Sequence, residues 1–300
     1  MRNSLNALAD ELRRLKASGV TRVAVSEEAL VALRRSVEKR TASVALAKAP
    51  PTALAKTSPV ALVPTASETA PAAPAALPPR PIVELPQGDK ATRWEALRKQ
   101  VLEDPVCRSK VRPEKKVVLG VGSLDAAIMF IGEAPGAEEE VQGEPFVGPA
   151  GQLLNKMIVG MGLSRGDVYI GNIMNWRPDL PMGPKGVQTG NRPPTEAEMA
   201  YCLPYLRAQV DIVNPQLLVA LGASAAKGLL GHRSFGALGE VRGRWHDLGG
   251  RPLMVTYHPS YILRSPTNQN KRLIWVDLLK VMERANLSIS DRQRNFFLSP

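Results

Sequence analysis

Four side chains stand where chemistry explains them better than packing does: Glu133, Phe146, Asn172 and His258. Glu133 follows an apolar run at 126–131 and opens Gly132-Glu133-Ala134-Pro135-Gly136, with Glu138, Glu139 and Glu140 close behind. Phe146 sits between Gly143 and Gly148, an aromatic ring in a loop that is otherwise glycine and proline. A flat ring beside backbone N–H groups and carboxylates suits a planar heterocycle. Asn172 comes at the end of a second apolar run, and its amide offers an acceptor and donors in fixed geometry. His258 heads His-Pro-Ser-Tyr-Ile-Leu-Arg directly after a fourth such run, a setting that His232 and His246 lack.

These residues need elements to hold them. The runs at 126–131, 168–173, 216–221 and 252–257 are short and β-type, and helical patterns at 152–162, 196–213 and 223–230 separate them. Strands alternating with helices predict a parallel sheet with right-handed crossovers. A last helix, 271–286, turns Leu273, Ile274, Val276, Leu278, Leu279 and Val281 inward. Four parallel strands deliver Glu133, Asn172, Gly222-Ala223-Ser224 and His258-Pro259-Ser260 to one rim, where open α/β sheets bind ligands. Free N–H groups at the helix N-terminus after the glycine loop favour an anion there.

Upstream, 3–17 and 26–35 carry helical spacing, so residues 1–40 read as a small helical module that docks on a protein partner. Residues 41–89, with ten prolines among many alanines, read as a disordered linker. Residues 90–300 are the catalytic domain, entered by a helix carrying Trp94, Leu97 and Val101 that stops before Pro105. The formal charge of +11 favours a polyanionic partner. Two cysteines make no disulfide framework, which points to the cytoplasm, and no window has the apolar length of a membrane helix. A monomer is expected.

The stretch GEAPGAEEEVQGEPFVGPAGQLL, 132–154, resembles the first active-site motif of the uracil-DNA glycosylase superfamily. It is most similar to the thermophile-type bacterial and archaeal branch called family four. The His258 segment resembles the superfamily's second motif, Asn191-Arg192-Pro193-Pro194-Thr195 and Arg242-Gly243-Arg244-Trp245 also match, and the likeness runs over about 95–290. It implies a three-layer α/β/α domain with a central four-stranded parallel sheet. It implies further that His258 stabilises the departing base, aided by backbone N–H groups near Glu133 and Ala134. Phe146 would stack on the flipped ring, and the Asn172 amide would tell uracil from cytosine. Ser224, Ser260, Ile262, Leu263 and Arg264 would meet DNA, with the loop after His258 acting as a wedge. Glu133 or Glu139 would position water, Glu133 being favoured because it stands on the strand end. Glu138 and Glu140 read as solvated or helix-capping.

Family-four enzymes hold an iron–sulfur cluster on four cysteines, whereas this chain keeps only Cys107 and Cys202. Asp104 and Trp176 occupy the other two places, so the cysteines read as buried structural residues and no cofactor is expected. With no lysine in the motifs, the implied activity is direct hydrolysis of the glycosidic bond of uracil in double- and single-stranded DNA. The alternatives left open are a glycosylase for hypoxanthine or xanthine, and a repair scaffold that kept the fold without catalysis.

Overall fold

The structure, a computed structural model, describes residues 77–183 and 188–298. The module read at 1–40 and most of the linker lie outside these residues. The last linker positions, 77–89, lack regular structure, yet Leu77, Val83 and Leu85 pack against the core. Apolar side chains at those positions make the segment part of the domain, so the disordered tether cannot extend to 89 as expected.

Helix α1 (Lys90–Glu103) is N-capped by Asp89, whose carboxylate accepts from Thr92 N–H, and it buries Leu97 and Val101. Asp104 ends it and caps α2 (Pro105–Lys110). The sheet comprises β1 (Val121–Gly122), β2 (Ile128–Gly132), β3 (Tyr169–Asn172), β4 (Leu217–Leu221), β5 (Trp245–Leu248) and β6 (Arg251–Thr256). Its order is β1-β3-β2-β4-β6-β5. The central four, β3-β2-β4-β6, run parallel, while β1 and β5 add antiparallel edges. The sheet is therefore mixed and six-stranded, wider than the four parallel strands expected. Two residues are too few for β1 to leave a periodic signal, and β5 joins β6 through Gly249-Gly250, both at positive φ. That Gly-Gly turn matches the twist of a tight hairpin.

All five residues of β2 are buried, and they alternate between two layers. Met129 and Ile131 face α1, α5 (Glu196–Val213) and α6 (Ala223–Leu230). Ile128 and Phe130 face α4 (Pro149–Gly160), α8 (Pro259–Arg264) and α9 (Asn268–Arg284). Short helices α3 (Ala137–Gln142), α7 (Leu238–Val241) and α10 (Asp291–Arg294) fill the connections. Burial of each large apolar side chain stabilises the fold by ~1.5–3 kcal/mol, which fixes the register because a one-residue slip would exchange the layers.

One buried charge ties a helix to the sheet. Asp277 on α9 accepts from Thr256 Oγ1 at 2.7 Å and from Arg242 Nη1 at 2.8 Å. Among the described residues no helix is long and apolar enough to cross a membrane.

Candidate active site

The chain leaves β2 toward the α4 layer and leaves β4 toward the α6 layer, so a crevice opens between their carboxyl ends. A cleft of about 610 Å³ lies there. Glu133, Ala134, Glu139, Phe146, Asn172, Ser224, His258, Ser260 and Arg264 all line it.

Its floor depends on two glycines. A Cβ at Gly132 would overlap both the Phe146 ring and Asn172 Oδ1, so ring and amide meet only because β2 ends in glycine. A Cβ at Gly151, in the first turn of α4, would overlap the Phe146 carbonyl. Phe146 itself holds φ +54, in the left-handed region that non-glycine residues adopt at a cost of ~1–3 kcal/mol. Its ring is buried, with its centroid 5.5 Å from that of His258 and the planes inclined by 31°. Asn172 is 6% exposed, and its Oδ1 is buried without a hydrogen-bond partner among the described residues. An orphaned buried acceptor costs roughly 1–3 kcal/mol unless a ligand supplies the donor.

The carboxylates have separate surroundings. Glu139 Oε2 accepts from Gly136 N–H at 3.0 Å, while Oε1 accepts from Val147 at 3.0 Å and Gly148 at 2.9 Å. It therefore braces the glycine loop across both of its arms. Glu140, expected to be solvated or capping, is instead buried and paired with Arg177 at 2.9 Å, because Arg177 reaches in from the loop after β3. Glu133 stands half-buried at the end of β2. Burial raises its carboxyl above the ordinary value, against the lowering pull of a Ser224 hydrogen bond and of Arg264.

His258 is the N-cap of α8. Its Nδ1 accepts from Ser260 N–H at 3.2 Å and lies 2.8 Å from Ser260 Oγ, which itself accepts from Arg264 Nη1 at 3.2 Å. Burial, and next the charge of Arg264, lowers the imidazole to about 4, while Glu139 opposes this. A neutral ring with Nδ1 as acceptor carries its proton on Nε2.

The segment expected as a wedge loop is the helix α8. Ile262 is 3% exposed and belongs to the α4 layer, so it cannot enter DNA without unpacking the domain. Leu263, one position on, is 48% exposed. Tyr257 and Tyr261, stacked at 4.3 Å, also line the cleft, as do Asn191, Arg192 and Pro193. Of these, the sequence reading gives Tyr261 a place in the wedge loop and Asn191, Arg192 and Pro193 only a match to the family, and it assigns Tyr257 nothing. Tyr257 directly precedes the histidine motif and Tyr261 is its fourth residue, which is the signal the sequence offers.

Behind this rim lies the region of the two cysteines. Asp104 Oδ1 accepts from Cys107 N–H at 2.6 Å, and Oδ2 accepts from the Tyr201 and Tyr205 hydroxyls at 2.9 and 2.8 Å. Burial pushes both thiols up. Trp176 is fully buried against Tyr201, ring centroids 6.2 Å apart. These residues do not fit an iron–sulfur cluster. The carboxylate is committed to three donors, the chain supplies only two thiols, and the indole fills the space. Among the described residues no group of three His, Cys, Asp or Glu is placed to hold a metal ion.

Residues 119–279 match the family model of the uracil DNA glycosylase superfamily. A type-4 uracil-DNA glycosylase of Thermotoga maritima is 42% identical over 165 residues, covering 55% of this chain and 80% of the relative. That of Pyrobaculum aerophilum is 40% identical over 161 residues, 51% of this chain and 76% of the relative. That of Saccharolobus solfataricus is 38% identical over 176 residues, 56% and 76% respectively. With Glu133, Asn172 and His258 gathered at one sheet rim and a matching segment that spans the whole sheet, the chain belongs to the uracil-DNA glycosylase superfamily.

Proposed function

We propose that this chain is a monofunctional uracil-DNA glycosylase, hydrolysing the N-glycosidic bond of uracil in DNA and so opening base excision repair. The observation that carries the reading is Asn172, whose amide oxygen is buried beside the Phe146 ring without a partner among the described residues. Uracil presents a donor at N3 and an acceptor at O4, and the amide can satisfy both at once. The nucleotide must leave the stack to reach this cleft, which costs a few kcal/mol and favours uracil in a mismatch.

The residues then divide the work. Phe146 stacks on the extruded base, a contact worth ~1–3 kcal/mol. Neutral His258 donates from Nε2 to uracil O2, and the Ala134 N–H adds a second donor as negative charge grows on the leaving base. Glu133 faces the sugar, balances its positive charge and orients the attacking water. Ser224 steadies that carboxylate rather than meeting DNA, and Glu139 holds the loop in place of acting on water. Arg264 and Ser260 face the DNA strand beside the cleft, and Leu263 enters the vacated stack.

We further propose that this activity needs no iron–sulfur cluster, the Asp104 network and Trp176 supplying the bracing.

Single-turnover cleavage of oligonucleotides carrying one uracil, hypoxanthine or xanthine tests the assignment, and uracil should be cut fastest. Replacing Asn172→Asp should slow uracil excision ~10–100-fold and relax the exclusion of cytosine. Unchanged uracil kinetics in that variant would remove Asn172 from base reading.

A further inference from the structure

Arg165 plays no part in the chemistry above, yet its side chain is tied to the loop that carries the stacking ring. It opens a 3₁₀ turn, Arg165–Asp167, between α4 and β3. Nη2 donates to the Pro145 carbonyl at 2.6 Å, and Nη1 donates to the Phe146 carbonyl at 3.2 Å and to Asn155 Oδ1 at 3.0 Å. The two carbonyls belong to the peptide units on either side of the Phe146 Cα. The first turn of α4 closes on the same residue, because the Phe146 carbonyl lies where Gly151 would carry a Cβ. Phe146 is thus held in its left-handed conformation by a planar fork on its two flanking carbonyls and by the bare backbone of Gly151. A guanidinium suits this task, since its donors diverge in one rigid plane, whereas a lysine offers a single point charge.

We infer that Arg165 is a positioning residue: by fixing both peptide units around Phe146 it sets the plane of the ring, and through that the strength of stacking on uracil. It touches neither base nor phosphate in this role. The inference rests on the uracil reading of the cleft.

The test is a double-mutant cycle read by inhibition with free uracil, which measures the base pocket apart from DNA. Arg165→Met should raise the inhibition constant of free uracil about tenfold and lower the single-turnover rate by a similar factor. Affinity for a duplex bearing a baseless abasic-site analogue should stay within about twofold. Arg165→Lys should recover part of the loss, and Asn155→Ala, which frees one arm of the fork, should show a smaller loss of the same kind. In a Phe146→Ala background, Arg165→Met should have no further effect on the uracil inhibition constant. Additive losses in the cycle would overturn the inference, as would an equal fall in abasic-duplex affinity, which would mark Arg165 as a phosphate anchor. Should Arg165→Met prove too unstable to assay, the same cycle run with Asn155→Ala decides the matter. A wild-type protein that leaves uracil DNA uncut sinks the uracil reading; one that cuts it but shows additivity sinks only the role of Arg165.

Discussion

Glu133 and His258 are displaced from their ordinary titration ranges in opposite directions by one cause, burial at the rim of the sheet. For the carboxylate this favours the proton, and for the imidazole it removes one. The two forms proposed to work, ionised Glu133 and neutral His258, therefore coexist above the raised pKa of Glu133. The single-turnover rate should fall on the acid side with the pKa of Glu133, and His258→Ala should lower the plateau ~10²–10³-fold without moving that limb. A limb that moved with the histidine substitution would show that imidazole titration controls the rate. Stability gives an independent check. The unfolded chain takes up the histidine proton near 6.5, and the folded chain only near 4. The contribution of neutral His258 is thus present above about 6.5 and lost as pH falls toward about 4. His258→Gln should flatten the pH dependence of denaturant midpoints across that window.

At the scale of elements, α8 gives neighbouring residues of one motif different surroundings. His258 caps it, Ile262 anchors it in the α4 layer, and Leu263 projects from it. Leu263→Ala should slow excision from duplex DNA several-fold more than from single strands, because only the duplex must be held open. Ile262→Ala should instead cost ~2–5 kcal/mol of stability and impair both substrates alike. Equal effects of Leu263→Ala on the two substrates would remove the wedge. A helix of six residues cannot stand alone, so its orientation comes from this packing and not from local propensity.

For the whole molecule, the region behind the rim decides whether the domain is braced by metal or by hydrogen bonds. Replacing Cys107 and Cys202 together with serine should leave uracil excision near wild type at a modest cost in stability. Asp104→Ala should cost more, ~3 kcal/mol, because it strands two tyrosine hydroxyls and a buried N–H. Protein purified without oxygen should be colourless, and about four irons per chain would overturn the assignment. The loop carrying Arg177 and Asn191 is tied to α3, since Arg177 pairs with Glu140 there and also bonds Asn191 on the cleft wall.

Much of this was legible in the residues themselves. Apolar runs bounded by glycine and proline located the four parallel strands, because burial on both faces leaves a continuous apolar signature. The rim residues followed from those strands' ends, which only one sheet polarity can gather. The antiparallel edges are less visible: β1 is two residues long, and only the Gly249-Gly250 pair marks the β5–β6 hairpin in the sequence. Tertiary structure alone decided the rest. Nothing local distinguishes Ile262 from Leu263, or Glu139 from Glu140, since neighbouring residues of like type differ only in which way the chain turns them. That Asp104 meets Tyr201 and Tyr205, and that Arg165 holds Phe146, depends on contacts between residues far apart in sequence. Such contacts exist only once the layers have packed, because hydrogen bonds of this reach follow from the fold's geometry and leave no periodicity in the chain.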